Sequence, residues 1–121
     1  MKKENLTLED VLQLKNLFNK DIENKDYFLN KYVIIRSYDA GVHCGILKEY
    51  DSQNRHALLN NSRRLWYWKG FTLSQVANEG MIEGAKVSQE LAEIIIANVI
   101  EIIPCTEKAK ENLSNYKVYI S

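Results

Sequence analysis

Residues 32–48 read Tyr-Val-Ile-Ile-Arg-Ser-Tyr-Asp-Ala-Gly-Val-His-Cys-Gly-Ile-Leu-Lys, and this stretch decides the fold class. Tyr32 to Tyr38 is β-branched and aromatic, the residue types that suit a pleated, half-buried surface. Asp39-Ala40-Gly41 interrupts it with turn chemistry, and Val42 to Lys48 resumes the extended pattern. Further along, Asp51-Ser-Gln-Asn54 is a second turn before His56 to Leu59, and Asn60-Asn61-Ser62 a third before a strand from Arg63 to Trp68. Four short strands at hairpin spacing predict an antiparallel meander.

Helical signals flank this core. Upstream, Thr7 can cap a helix over 8–25, with Leu8, Val11, Leu12, Phe18 and Ile22 recurring as an apolar stripe. Downstream, Thr72 and Gln75 have capping-box spacing, Phe71 and Val76 the spacing of a hydrophobic staple, and Gly80 ends the helix after about two turns. Residues 81–88 read as loop. Glu93 to Ile103 is rich in isoleucine and reads as one strand that Pro104 stops; Thr106 caps a last short helix, and Tyr116 to Ile120 reads as an edge strand. The expected fold is α+β: a small antiparallel sheet or partly open barrel, with an N-terminal, a short central and a short C-terminal helix. Residues 1–121 form a single domain, divided into an N-terminal helix within 1–26 and a β-rich core over 32–121.

Composition removes several function classes. A chain of 121 residues has room for one core, and Lys+Arg and Asp+Glu each number 16, so no global field draws it to DNA or an anionic membrane. Cys44 and Cys105 lie in no CxxC spacing and read as reduced, buried thiols. The start reads as an amphipathic stretch rather than an apolar signal segment, which predicts a cytoplasmic protein without a membrane span. His43 and Cys44 are adjacent, so on a strand they point to opposite faces and do not chelate one metal together. The chain has no GxSxG, Walker loop, HExxH or GxGxxG, which predicts no metal, no cofactor and no catalytic residue.

Ser62-Arg63-Arg64-Leu65-Trp66-Tyr67-Trp68-Lys69-Gly70-Phe71 holds both tryptophans and a cluster of cations. On a strand, Arg64, Trp66 and Trp68 share one face and Arg63, Leu65 and Tyr67 the other. Arg63, Arg64 and Lys69 offer charge-assisted bonds to phosphate. Trp68 or Phe71 offers a flat face for a base, and the free N–H groups that begin the central helix attract anions. The same residues also read as ordinary core, with arginine stacked over aromatic rings. Gly41 reads as a turn that needs positive φ, and Gly45 as a bulge or a close approach of ligand or subunit.

Larger pieces carry a resemblance. These are Tyr38-x-Ala40-Gly41-Val42-His43-x-Gly45-x-Leu47, Arg63-Arg64-x-Trp66-Tyr67-Trp68-Lys69-Gly70, Leu73-Ser74-Gln75 with Gly80, and Ala97-x-x-Ile100-Glu101-Ile-Ile-Pro104-x-Thr106. Together they resemble the phage anti-Thoeris sponge family over about Tyr32 to Lys110, the N-terminal helix lying outside the likeness. The resemblance implies a non-enzymatic protein that sequesters cyclic ADP-ribose isomers made by TIR-domain enzymes in the host bacterial cytoplasm, without cleaving them. It also implies a homo-oligomer, a dimer assembled up to a hexamer, with pockets between subunits and cyclic oligonucleotides as a second ligand class at separate pockets. Membranes and long nucleic acids are not expected partners. On this reading Phe71 stacks, Arg63, Arg64 and Lys69 hold phosphate or close the pocket, and Thr72 with the following N–H groups donates. Asn98 reaches a ribose or base edge. The rivals are a signal-degrading enzyme, a single-strand nucleic-acid binder and a protein-interaction module using the aromatic strand.

Overall fold

The computed structural model describes residue 8 and residues 27–120. The expected N-terminal helix lies outside the described residues. The described chain is α+β, and its elements in order are β1 (Tyr32–Ser37), β2 (Gly41–Asp51), β3 (His56–Tyr67), α1 (Leu73–Glu79), β4 (Lys86–Val87), β5 (Leu91–Ile96), β6 (Val99–Pro104) and α2 (Glu107–Asn115).

All strand pairs are antiparallel, in the order β4-β3-β2-β1-β6, with β5 also on β3. The long strand β3 takes β5 along its first half and β4 along its second. Strands β5 and β6 therefore lie at opposite edges, yet only Ala97 and Asn98 separate them. The three Cα steps from Ile96 to Val99 span at most about 11 Å. The open antiparallel sheet must therefore curl, bringing the adjoining ends of β5 and β6 close together.

The curl divides the core in two. Tyr32 and Ile34 of β1 join Cys44, Leu65, Val87 and the helical residues Val76, Ala77 and Leu113. Val33 and Ile35 turn the other way, to Leu47, Ala57, Leu59, Ile96 and Val99 inside the curl. Strand β1 serves both clusters, so it needs apolar residues at consecutive positions rather than alternating ones.

Several sequence expectations change. The turn expected at Asn60–Ser62 is a bulge inside one continuous strand, with Asn61 at φ 50°. The single strand expected over Glu93–Ile103 is broken in two at Ala97–Asn98, where Asn98 adopts φ 52°, and β5 pairs with β3 while β6 pairs with β1; asparagine tolerates that left-handed conformation better than most residues. The loop expected over 81–88 contains the short strand β4. Tyr116 to Ile120 forms no strand, although the Tyr119 N–H donates to the Val87 carbonyl at 2.9 Å.

Helix α1 forms as its spacing predicts. The Gln75 N–H donates to Thr72 Oγ1 and the Thr72 N–H to Gln75 Oε1, the two halves of a capping box. Thr106 caps α2 by accepting from the Ala109 N–H at 3.1 Å. No helix among the described residues is long and apolar enough to cross a membrane.

Candidate ligand-binding cleft

The bulge in β3 decides which side chains meet. Leu47 pairs with Leu59 and His43 with Arg64. Leu47 and His43 are four residues apart on β2 and share a face. Leu59 and Arg64, five apart on β3, must then share that face too, which requires one extra residue between them. Asn61 supplies it. A cleft of about 270 Å³ opens on this face, lined by His43, Ser62, Arg64, Trp66, Ser88, Gln89, Leu91 and Ile94.

Gly45 faces the bulge. A Cβ there would stand 2.9 Å from the Asn60 carbonyl oxygen and 3.1 Å from Ser62 Cα, so only glycine lets the two backbones approach. Of the two readings of Gly45, the bulge is the one observed, and what approaches is the backbone of β3, not a ligand or a subunit. Gly41 turns at φ 81°, as its place in the β1–β2 hairpin requires.

At the rim, the Trp66 side chain is 53% exposed and meets Tyr119 edge-on, the centroids 6.2 Å apart. Arg64 is exposed, and its guanidinium forms no ion pair or hydrogen bond among the described residues. Deeper in, His43 is buried with Nε2 2.8 Å from the Ala40 carbonyl oxygen. A carbonyl only accepts, so Nε2 carries the proton. Burial lowers the His43 pKa, the Ala40 bond raises it, and the Arg64 charge lowers it further; the net direction is down. The ring is therefore neutral at pH 7, with Nδ1 an acceptor. Ser62 Oγ is buried and has no hydrogen-bond partner among the described residues. Ser88 Oγ is engaged, accepting from the Arg64 N–H and donating to the Gln89 carbonyl.

A family model for a domain of unknown function, DUF6948, matches residues 30–113, which contain every residue of the cleft. The chain belongs to the DUF6948 family. No curated protein matches it. Solved structures similar to this DUF6948 chain include a heptameric archaeal Sm protein, 20% identical, covering 69% of this chain and 98% of that one at a TM-score of 0.47. Another is the Pyrococcus abyssii Sm protein in complex with a uridine heptamer, 20% identical, covering 69% of this chain and 94% of that one at a TM-score of 0.45.

In the DUF6948 chain the expected site residues disperse, and Arg64 alone lines the cleft. Arg63 points the other way and is 3% exposed. Its Nε donates to the Ser88 carbonyl at 2.8 Å and its Nη1 to the Leu113 carbonyl at 2.9 Å, so its guanidinium ties β3 to the β4–β5 connection and to α2. Those bonds take it out of the expected phosphate set. Trp68 leaves the strand after Tyr67 and packs with Phe71 against the helical cluster, so it does not share the face of Arg64 and Trp66. Lys69 is exposed on the β3–α1 connection. Thr72 and its N–H are committed to the capping box. Asn98 sits at the break between β5 and β6, where its amide donates to the Asp39 carboxylate and its carbonyl accepts from the Tyr38 N–H.

Trp66, Ser62 and His43 line the cleft but lie outside the expected set of ligand-binding residues. Their signal was the count along β3: with one residue set aside at the Asn-Asn-Ser bulge, Ser62, Arg64 and Trp66 fall on the face of Leu59. On the opposite face, Tyr32 Oη donates to Cys44 Sγ at 3.3 Å. Burial pushes the thiols of Cys44 and Cys105 up, to about 11 and about 12, and raises the Tyr32 hydroxyl as well. Among the described residues no three His, Cys, Asp or Glu side chains are placed to hold a metal ion.

Proposed function

We propose that this protein is a non-enzymatic binding domain that captures a phosphorylated nucleotide of the cyclic ADP-ribose class at the Arg64–Trp66 cleft. One observation carries the reading: a guanidinium without a partner among the described residues and an exposed indole stand two residues apart on one strand face, at the mouth of a largely apolar cleft. An arginine fork matches phosphate oxygens, and an indole offers a face to a base at about 1–3 kcal/mol. The resemblance of the Arg63–Gly70 segment to the anti-Thoeris sponge family supplies the ligand class and the reading as a trap instead of a catalyst.

The cleft is small for such a ligand. Pockets that enclose a whole small molecule measure about 300–1,000 Å³, so a cleft of about 270 Å³ receives one part of it. A second copy covers the rest. Among the described residues, β5 and β6 each pair on one side only. They carry exposed Leu91, Ile95 and Ile100, Ile95 at 71%. Apolar edges of this kind recruit further strands. Leu91 also lines the cleft, so a copy docked on β5 stands against its wall.

Native mass spectrometry and calorimetry with a panel of cyclic ADP-ribose isomers and cyclic oligonucleotides test the reading. The expected result is binding of a cyclic ADP-ribose isomer by an oligomer, weakened about tenfold or more by Arg64→Gln and by Trp66→Ala. Heat denaturation of the complex should return the ligand intact. Recovery of a hydrolysed product makes the protein an enzyme. Binding of single-stranded oligonucleotides that falls steeply with salt replaces the reading with nucleic-acid binding.

A further inference from the structure

We propose that His43 and Ser62 form the base-reading end of this cleft, an acceptor beside a hydroxyl that together recognise the hydrogen-bonding edge of a nucleobase. The inference rests on the nucleotide reading above and assigns the inner part of the same site. Ser62 is 1% exposed, lines the cleft, and its Oγ is without a partner among the described residues. Buried hydroxyls are paired as a rule, and one left open on a cleft wall is a group that a ligand atom can satisfy. His43 lies beside it, since it pairs across the ladder with Arg64, two residues from Ser62. The Ala40 carbonyl fixes the proton on His43 Nε2, which leaves Nδ1 to accept.

The pair is chemically selective. Nδ1 demands a donor, and Oγ either donates or accepts, so the two match an edge that carries an N–H beside a ring nitrogen or carbonyl. Adenine presents such an edge through its amino group and a ring nitrogen. Sugar hydroxyls have the same polar capacity, but the walls favour a base. Trp66, Leu91 and Ile94 are apolar, and a flat ring buries its faces against them where a sugar would desolvate its remaining hydroxyls. Arg64 at the rim then meets phosphate, so base and phosphate are held at opposite ends of one short site.

Calorimetry on the full chain with three probes tests this: AMP, purine riboside 5′-monophosphate, which lacks the amino donor, and ribose 5-phosphate, which lacks the base. The expected order is AMP over the purine riboside by about tenfold or more, with ribose 5-phosphate weakest. Ser62→Ala should lose most of the preference for AMP and leave the affinity for ribose 5-phosphate unchanged, while a thermal melt shows it folded. Acidification far enough to protonate His43, whose pKa burial holds below 6.5, should weaken AMP more than ribose 5-phosphate. Equal binding of AMP and purine riboside monophosphate overturns the inference and leaves the nucleotide reading standing, as does a Ser62→Ala variant with its selectivity intact. Ser62→Ala that loses stability without losing selectivity marks the hydroxyl as a water site only, and also overturns it. Failure of all three probes on a protein that binds a cyclic ADP-ribose isomer overturns it too. Failure of the probes and of the cyclic panel together removes both readings.

Discussion

Arg63 and Arg64 are neighbours in the chain with opposite duties, and Arg63→Ala is the substitution that separates them. Two hydrogen bonds leave Arg63, to the carbonyls of Ser88 and Leu113. Leu113 lies in the last turn of α2, where carbonyls have no partner within the helix. Each bond from a charged donor is worth about 1.5–3 kcal/mol, about 3–6 kcal/mol for the pair. Relief of a buried cation returns part of this, which leaves a net loss of about 2–4 kcal/mol. With a urea dependence of about 2 kcal/mol per molar, the unfolding midpoint should fall by about 1–2 M, followed by tryptophan fluorescence. Arg64→Ala removes no described contact and should stay within about 0.5 kcal/mol of the parent. A midpoint for Arg63→Ala within about 0.3 M of the parent, or a larger drop for Arg64→Ala, would refute the division of labour.

Other expectations are independent of any ligand. Gly45→Ala should cost about 1–3 kcal/mol in urea unfolding, because its methyl meets backbone rather than a movable side chain. His43 titrates near 6.5 in the unfolded chain and lower in the fold. The unfolded chain therefore binds more protons between the two values, and stability, full above 6.5, should decline as pH falls through that window. A His43→Gln variant should lack that part of the slope. Cys44 and Cys105, with thiols raised to about 11 and about 12, should react slowly with a disulfide reagent at pH 8 in the native protein and rapidly in urea.

The local signals in the sequence carried a good part of the fold. The β1–β2 hairpin follows from the Asp39-Ala-Gly41 turn, and α1 from Thr72, Gln75 and Gly80, because these features are settled within a few residues. The break between β5 and β6 was hidden because Ile94-Ile-Ile-Ala-Asn-Val-Ile is apolar on both sides of Asn98, and only the left-handed asparagine marks it. The site was harder. Which of two adjacent arginines faces the interior depends on a single bulge, and a bulge is fixed by what the neighbouring strand can match. Trp68 and Phe71 looked like a stacking platform by residue type, but the departure of the chain from the sheet after Tyr67 turns them to the helices.

The irregularity at Asn61 also limits how this chain can change length. On its β2 side, the three steps from Asn60 to Arg63 are matched against two, from Ile46 to Cys44. On its β5 side, Asn60 to Ser62 and Glu93 to Leu91 advance in equal step. Deleting Asn61 would remove this shift from the first ladder and throw the second out of phase. A viable shortened chain must therefore also lose a residue from β5, opposite the gap at Ala92, so gaps at these two distant positions should be inherited as a pair.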